Sequence, residues 1–197
     1  VIILRLYGPL AGHGDSLVIP LLLPDAPVVA WWPADAPLVP AVDPIGRMAQ
    51  RRITDAAHCP NPIRALKHRA EHYVPGDTDL TWTRITRWRA VLACALDLPS
   101  DEPVTAVSVT AGSDSASADL LVAWLGTALG CPIRHDHAAP GSGILAASLI
   151  RPSGAIEVSR PRGDIAELLV PGQPLQHVAL PHRSDRDCLA EELRCLD

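Results

Sequence analysis

A chain of 197 residues with 48% hydrophobic side chains is long enough to bury one large or two small cores. Only 20% of its residues are charged and its formal net charge is −5, which excludes a nucleic-acid partner, because clustered Lys and Arg are needed to neutralise phosphates. The longest apolar run, residues 17–23, is interrupted by Pro20 and falls far short of the roughly 20 residues of a membrane helix, so no membrane association is expected.

No basic segment followed by an apolar one opens the chain, and Val1 starts directly in strand-like sequence, so a start truncated relative to a longer protein is expected. Residues 2–7 read as a strand, 15–23 as a short helix and 28–32 as a second strand, with Pro24 and Pro27 marking the turn between the last two. A helical stretch over 43–50 leads into a third strand at 52–54. This strand and helix alternation predicts a mainly parallel sheet with flanking helices. Asn61 and Pro62 supply an N-cap and a first-position proline for a helix carrying Ile63, Leu66, Ala70 and Tyr73 on one face. A further helix is predicted over 83–96, with Ile85, Trp88, Leu92, Ala95 and Leu96 as its stripe, Arg84 and Arg89 on the flanks of the stripe, and Arg87 pointing away.

A domain boundary is placed near 99–103, giving an α/β domain over 1–98 and an α+β domain over 103–197. The second opens with an alternating strand at 104–109, a helix capped by Ser115 or Ser117 and ended by Gly130, and a returning strand at 131–134. Strands at 144–150, 155–159, 165–170 and 175–180, separated by Pro and Gly turns, predict an antiparallel meander. A closing helix is capped by Ser184 and Asp187, with Leu189, Leu193 and Leu196 as its stripe.

Few patterns carry chemistry. The loop over 8–16 follows a strand and precedes a helix, where backbone N–H groups cradle anions, and Gly12, Gly14 and Ser16 are its candidate residues. Against this, no Lys precedes Ser16 and Asp15 opposes an anion at the helix start, so a strained turn capped by Asp15 is the competing reading. His135 and His137 need a further ligand to close a metal site, and no metal-binding spacing exists elsewhere, so no metal and no cofactor are expected. Ser142, between two glycines, lacks the context of a nucleophile elbow and reads as a hairpin loop. The paired carboxylates at 77 and 79, 101 and 102, 185 and 187, and 191 and 192 read as solvated charge in turns and on helix surfaces. Five cysteines, three of them within apolar patterns, point to a reducing compartment.

Tryptophan stands out. Trp31 and Trp32 are consecutive on one strand and face opposite sides of the sheet. Trp82 with Arg84, and Trp88 with Arg89, have the composition of interface hot spots. Trp31, Trp32, Trp82, Arg84, Trp88 and Arg89 are therefore the candidate partner-binding residues, with core packing the competing reading for Trp88 and for one of the strand pair.

Several blocks resemble the OpcA family of glucose-6-phosphate dehydrogenase assembly proteins of actinobacteria. They are Leu6-Tyr7-Gly8-Pro9-Leu10, the proline-bounded run 20–33 that ends in Trp31-Trp32-Pro33, Asp43-Pro44-Ile45-Gly46, Arg51-Arg52-Ile53-Thr54-Asp55 and the Trp-centred stretch 79–89. Residues 117–121, 153–157 and 188–193 follow the same pattern in the second half. The resemblance implies a cytoplasmic, non-catalytic factor that contacts glucose-6-phosphate dehydrogenase, promotes its assembly or active state and so supports the oxidative pentose phosphate pathway. It implies no catalytic residues. The alternative is a sugar-phosphate sensor or lactonase-like hydrolase of that pathway using the 8–16 loop.

Overall fold

The computed structural model describes residues 2–5, 7, 13–97 and 102–194. Two sheets organise them. The first is parallel and three-stranded, in the order β1 (Val29–Trp31), β2 (Arg51–Thr54) and β3 (Asp77–Asp79). The second has six strands in the order β5-β4-β6-β7-β8-β9: β4 (Ala106–Gly112), β5 (Ile133–Ala138), β6 (Ile144–Arg151), β7 (Gly154–Ser159), β8 (Ile165–Leu169) and β9 (Gln176–Ala179). β4 and β5 pair in parallel, whereas β6 to β9 form the expected antiparallel meander. The fold is α/β, as the alternation of apolar runs and turns predicts.

The first sheet contains different strands from those expected. Residues 2–5 and 7 form no strand and are exposed, and the predicted strand's Leu6 lies outside the described residues. The third strand is instead β3, whose Asp-Thr-Asp sequence carries no strand-like apolar pattern. It is held because Arg52 reaches across from β2. That side chain forms an ion pair with Asp77 and donates to the carbonyls of Ala49 at 2.7 Å and Pro75 at 2.6 Å. Gly76, which leads into β3 at φ +96°, lets this happen, since a Cβ there would sit 2.4 Å from the Gln50 carbonyl oxygen.

The helices follow their capping residues. The first predicted helix shortens to α1 (Gly14–Val18), and residues 19–21 tighten into a 3-10 turn around Pro20, which has no N–H to continue the ladder. α2 (Pro44–Met48) is capped by Asp43, and α3 (Pro62–Glu71) by Asn61, which accepts from the Arg64 N–H at 3.0 Å. The helix expected over 83–96 is two: α4 (Leu80–Arg84), started by the Asp79 cap, and α5 (Thr86–Leu96), with Ile85 at φ −90°, ψ 2° between them. Ser115 caps α6 (Ala116–Leu129), and Gly130 ends it in the left-handed conformation at φ 62°. The last helix, α7 (Asp185–Arg194), has the expected Ser184 and Asp187 pairing, but its buried residues are Cys188 and Glu192. Leu193 is exposed, and Leu196 lies outside the described residues.

The main core joins α5 and α6 to one face of the six-stranded sheet, through Trp88, Leu92, Leu121, Leu125, Leu149 and Ile156. A smaller core joins Ile53 of β2 and Leu80 of α4 to Cys188 of α7. The last helix thus returns to the first sheet, while α5 belongs to the second. Residues 98–101 lie outside the described residues, and with them most of the domain boundary expected near 99–103.

Candidate functional site

The ends of β2 and β3, the start of α4 and the start of α7 meet in a network of charges. Asp55 follows β2 directly and is 1% exposed. It accepts from both terminal nitrogens of Arg84 at 2.6 Å, from the Ala57 N–H at 3.1 Å, and pairs with His58 Nδ1 at 2.9 Å. Arg84 also donates to Asp185 of α7. Burial works to lower the Arg84 pKa, but hydrogen bonds and charge from Asp55 and then Asp185 outweigh it, so the guanidinium is held above its ordinary range. Beside it, Asp79 accepts from Thr54 Oγ1 at 2.7 Å, from the backbone N–H groups of Ala56 and Thr81, and from Arg69 at 2.6 Å.

On the other side of α4, the Thr83 hydroxyl donates to the buried Glu192 carboxylate, which also receives Arg51 at 3.2 Å. Arg183 donates to the Thr83 carbonyl at 2.8 Å and pairs with Glu191 at 2.6 Å. Asp77, Asp79, Asp185, Glu191 and Glu192, expected as solvated charge, are instead members of these networks. Their partners lie up to 141 residues away, so no local spacing announces them.

The candidate partner-binding residues divide by burial. Trp88 is 3% exposed, and packs inside the main core with the Arg160 guanidinium 5.4 Å from its ring centroid. Trp82 is half-buried against the same core, with Arg89 stacked 3.7 Å from its ring. Arg84 is consumed by Asp55 and Asp185. Trp32 is half-buried, whereas Trp31, on the edge strand β1, is 41% exposed. Leu23, Leu38 and Val42 in the flanking segments are exposed as well. The structure therefore brings Trp82, Arg84, Trp88 and Arg89 together around α4 and α5 but leaves the strand pair apart from them.

Of the candidate anion loop, Gly12 lies outside the described residues, and Gly14 and Ser16 are in the five-residue α1, preceded by His13 with no side-chain cap. Ligand atoms of Asp55, His58 and Asp185 lie within 4.8 Å of one another, the spacing of a metal site. Arg84 already supplies the positive charge between the two carboxylates, so the set is complete as an ion-pair network. His135 and His137 pack with ring centroids 4.5 Å apart, and the nearest carboxylate to His135, Asp119, is 3.7 Å away.

Both parts of the chain match family models. Residues 1–71 match the N-terminal domain, and residues 75–197 the C-terminal domain, of the glucose-6-phosphate dehydrogenase subunit. The chain belongs to the OpcA family of glucose-6-phosphate dehydrogenase assembly proteins. The junction between the two matches falls just before β3, so the charge network links residues of both: Arg84 and Asp185 from the second close on Asp55 from the first. No curated protein sequence matches. Among solved structures, the chain is similar to a mutant of KijD10, a 3-ketoreductase from Actinomadura kijaniata, in complex with TDP-benzene and NADP, at 9% identity and TM-score 0.48. That match covers 83% of this chain and 66% of the reductase, just under two thirds of its length. KijD10 with NADP matches at 10% identity and TM-score 0.47, over 89% of this chain and 69% of that one. A likeness this slight says nothing of what the chain binds or does. Among the described residues, no helix is long and apolar enough to cross a membrane.

Proposed function

We infer that this chain is a cytoplasmic, non-catalytic partner of glucose-6-phosphate dehydrogenase, which it contacts directly to promote assembly or the active state and so sustain the oxidative pentose phosphate pathway. The observation that carries the reading is the pair of family matches in order, 1–71 and 75–197, across both sheets. The charged side chains around α4 are consistent with it, because their ion pairs and hydrogen bonds knit elements of both matched parts together.

The contact surface is centred on Trp31, with Trp32 beside it and the Trp82 and Arg89 pair as a second patch. An exposed Trp on an edge strand has the amphipathic area and low ordering cost of an interface anchor, and Leu23, Leu38 and Val42, before and after it in the chain, are exposed as well. The test is to titrate the purified chain into the dehydrogenase while following NADPH formation, with co-elution on gel filtration as the second readout. Co-elution with a raised rate is expected. The absence of both binding and any change in rate would overturn the proposal.

A further inference from the structure

A cavity of about 260 Å³ lies between the start of α6, the junction of α4 and α5, the loop from β5 to β6 and the segment after β9. Its wall is rich in positive charge, and only part of that charge is answered. Arg84 is neutralised by Asp55 and Asp185, and Arg183 by Glu191. Arg160, at the end of β7, is 6% exposed and donates to the carbonyls of Leu180 at 2.6 Å and Ile144 at 3.3 Å. Both terminal nitrogens thus reach carbonyls, and no carboxylate forms an ion pair with it or with Arg87 among the described residues, the Asp164 charge acting on Arg160 from beyond ion-pair distance. A buried charge without a counter-charge is costly.

Three further observations point the same way. His182, which lines the cavity, is pushed below its ordinary pKa, first by burial and then by the Arg160 charge, against the opposing Asp164 charge. The Arg183 side chain is 10% exposed, and its Nε–H, shielded from water, finds no acceptor among the described residues. Ala116 and Ser117 open the 14-residue α6 at the cavity wall, and first-turn amides have no acceptor within their own helix. Of the opposing carboxylates, Asp114 at the cavity wall is exposed and accepts from the Gly141 N–H at 2.8 Å, Asp119 lies in the first turn of α6, and Asp164 acts on Arg160 and His182 without forming an ion pair with Arg160. The Arg183 Nε–H is the donor this wall leaves without an acceptor among the described residues.

The geometry points to a binding site for a small phosphate monoester, its phosphate seated at the N-terminus of α6 between Arg87 and Arg160. Two cations without ion-pair partners among the described residues and a helix N-terminus suit a dianion. The volume lies just below the roughly 300 Å³ lower end of small-molecule pockets, which suits a phosphorylated monosaccharide and excludes a dinucleotide. The site stands whether or not the chain contacts a dehydrogenase.

Calorimetric titration of the whole chain with glucose 6-phosphate, glucose and inorganic phosphate tests it. Saturable one-site binding of glucose 6-phosphate is expected, displaced by inorganic phosphate, with no heat from glucose. Arg87→Ala, at an exposed position that does not endanger the fold, weakens binding about tenfold, the loss of one charge-assisted contact. Lys67→Ala, on the exposed surface of α3 and outside the cavity, leaves it unchanged. Absence of saturable binding, equal binding of glucose, or equal loss in the two variants would each overturn the site.

Discussion

Arg84 and Asp55 meet in a two-armed ion pair, both nitrogen to oxygen distances 2.6 Å, with the carboxylate 1% exposed and the guanidinium side chain 16% exposed. The two residues are 29 positions apart and sit at the point where the first sheet, α4 and α7 converge. Removing Arg84 leaves Asp55 charged, buried and answered only by His58 and one backbone N–H. Arg84→Ala is expected to cost about 3–5 kcal/mol of unfolding free energy in urea denaturation, while Arg84→Lys, which keeps the charge but loses the fork, costs less. A loss below about 1 kcal/mol for the alanine variant would place the pair in the weak, solvent-screened class of ion pairs.

Asp79 gives the fold an acid limit. Burial, the largest influence, pushes its carboxyl upward, and hydrogen bonds from Thr81, Thr54 and the Ala56 N–H outweigh this, leaving it below its ordinary value of 3.8. A depressed folded-state pKa stabilises the fold fully above the unfolded value and loses that stabilisation as pH falls through the folded one. The difference in unfolding free energy between wild type and Asp79→Asn is therefore constant from pH 7 to about pH 5, and narrows below about pH 4. Denaturation at a series of pH values reads it directly, and a difference that widens in acid would reverse the assignment.

Local signals explain which parts of this architecture were legible in the sequence. The Asn61 and Ser115 caps, the Gly130 stop and the Pro and Gly turns of the meander act within a few residues, and each lies where its chemistry predicts. β3 was hidden because its stability comes from Arg52, whose reach to Asp77 and the Pro75 carbonyl exists only once β2 is in place. α7 departs from its expected stripe for the same reason: Leu189 packs against the small core as expected, but Leu193 is exposed and Glu192 is buried, because Arg51 and Thr83, more than a hundred residues earlier, answer its charge. Trp88, in the apolar stripe of the predicted helix, is buried as its core reading expects, whereas the half-burial of Trp82, just before that helix, shows only in the packing.

Glu192 fastens the closing helix. Its carboxylate takes the Thr83 hydroxyl and Arg51, while Cys188 one turn earlier enters the small core beside Ile53 and Leu80. Glu192→Ala leaves the buried Thr83 hydroxyl without its acceptor and is expected to cost about 1–3 kcal/mol. Hydrogen exchange localises the effect: amides of α7 and β2 lose protection, and those of β6 and β7 in the second sheet do not. Uniform loss across both sheets would mean that the two cores open together.

Trp31 and Trp88 separate contact from core. Trp31 lies on an edge strand with 41% of its surface exposed, so its removal costs the isolated chain no more than about 0.5 kcal/mol. Trp88 fills the core between α5 and the six-stranded sheet, and Trp88→Ala is expected to cost about 3–5 kcal/mol. Association with the dehydrogenase runs the other way. Trp31→Ala weakens it by about 2 kcal/mol, close to thirtyfold in Kd, with an unchanged melting temperature. Trp88→Leu, which retains apolar volume, lowers the melting temperature but leaves the affinity of the folded fraction intact. Paired melting curves and binding titrations on the two variants distinguish the roles, and unimpaired binding by Trp31→Ala would move the contact surface to the Trp82 and Arg89 patch.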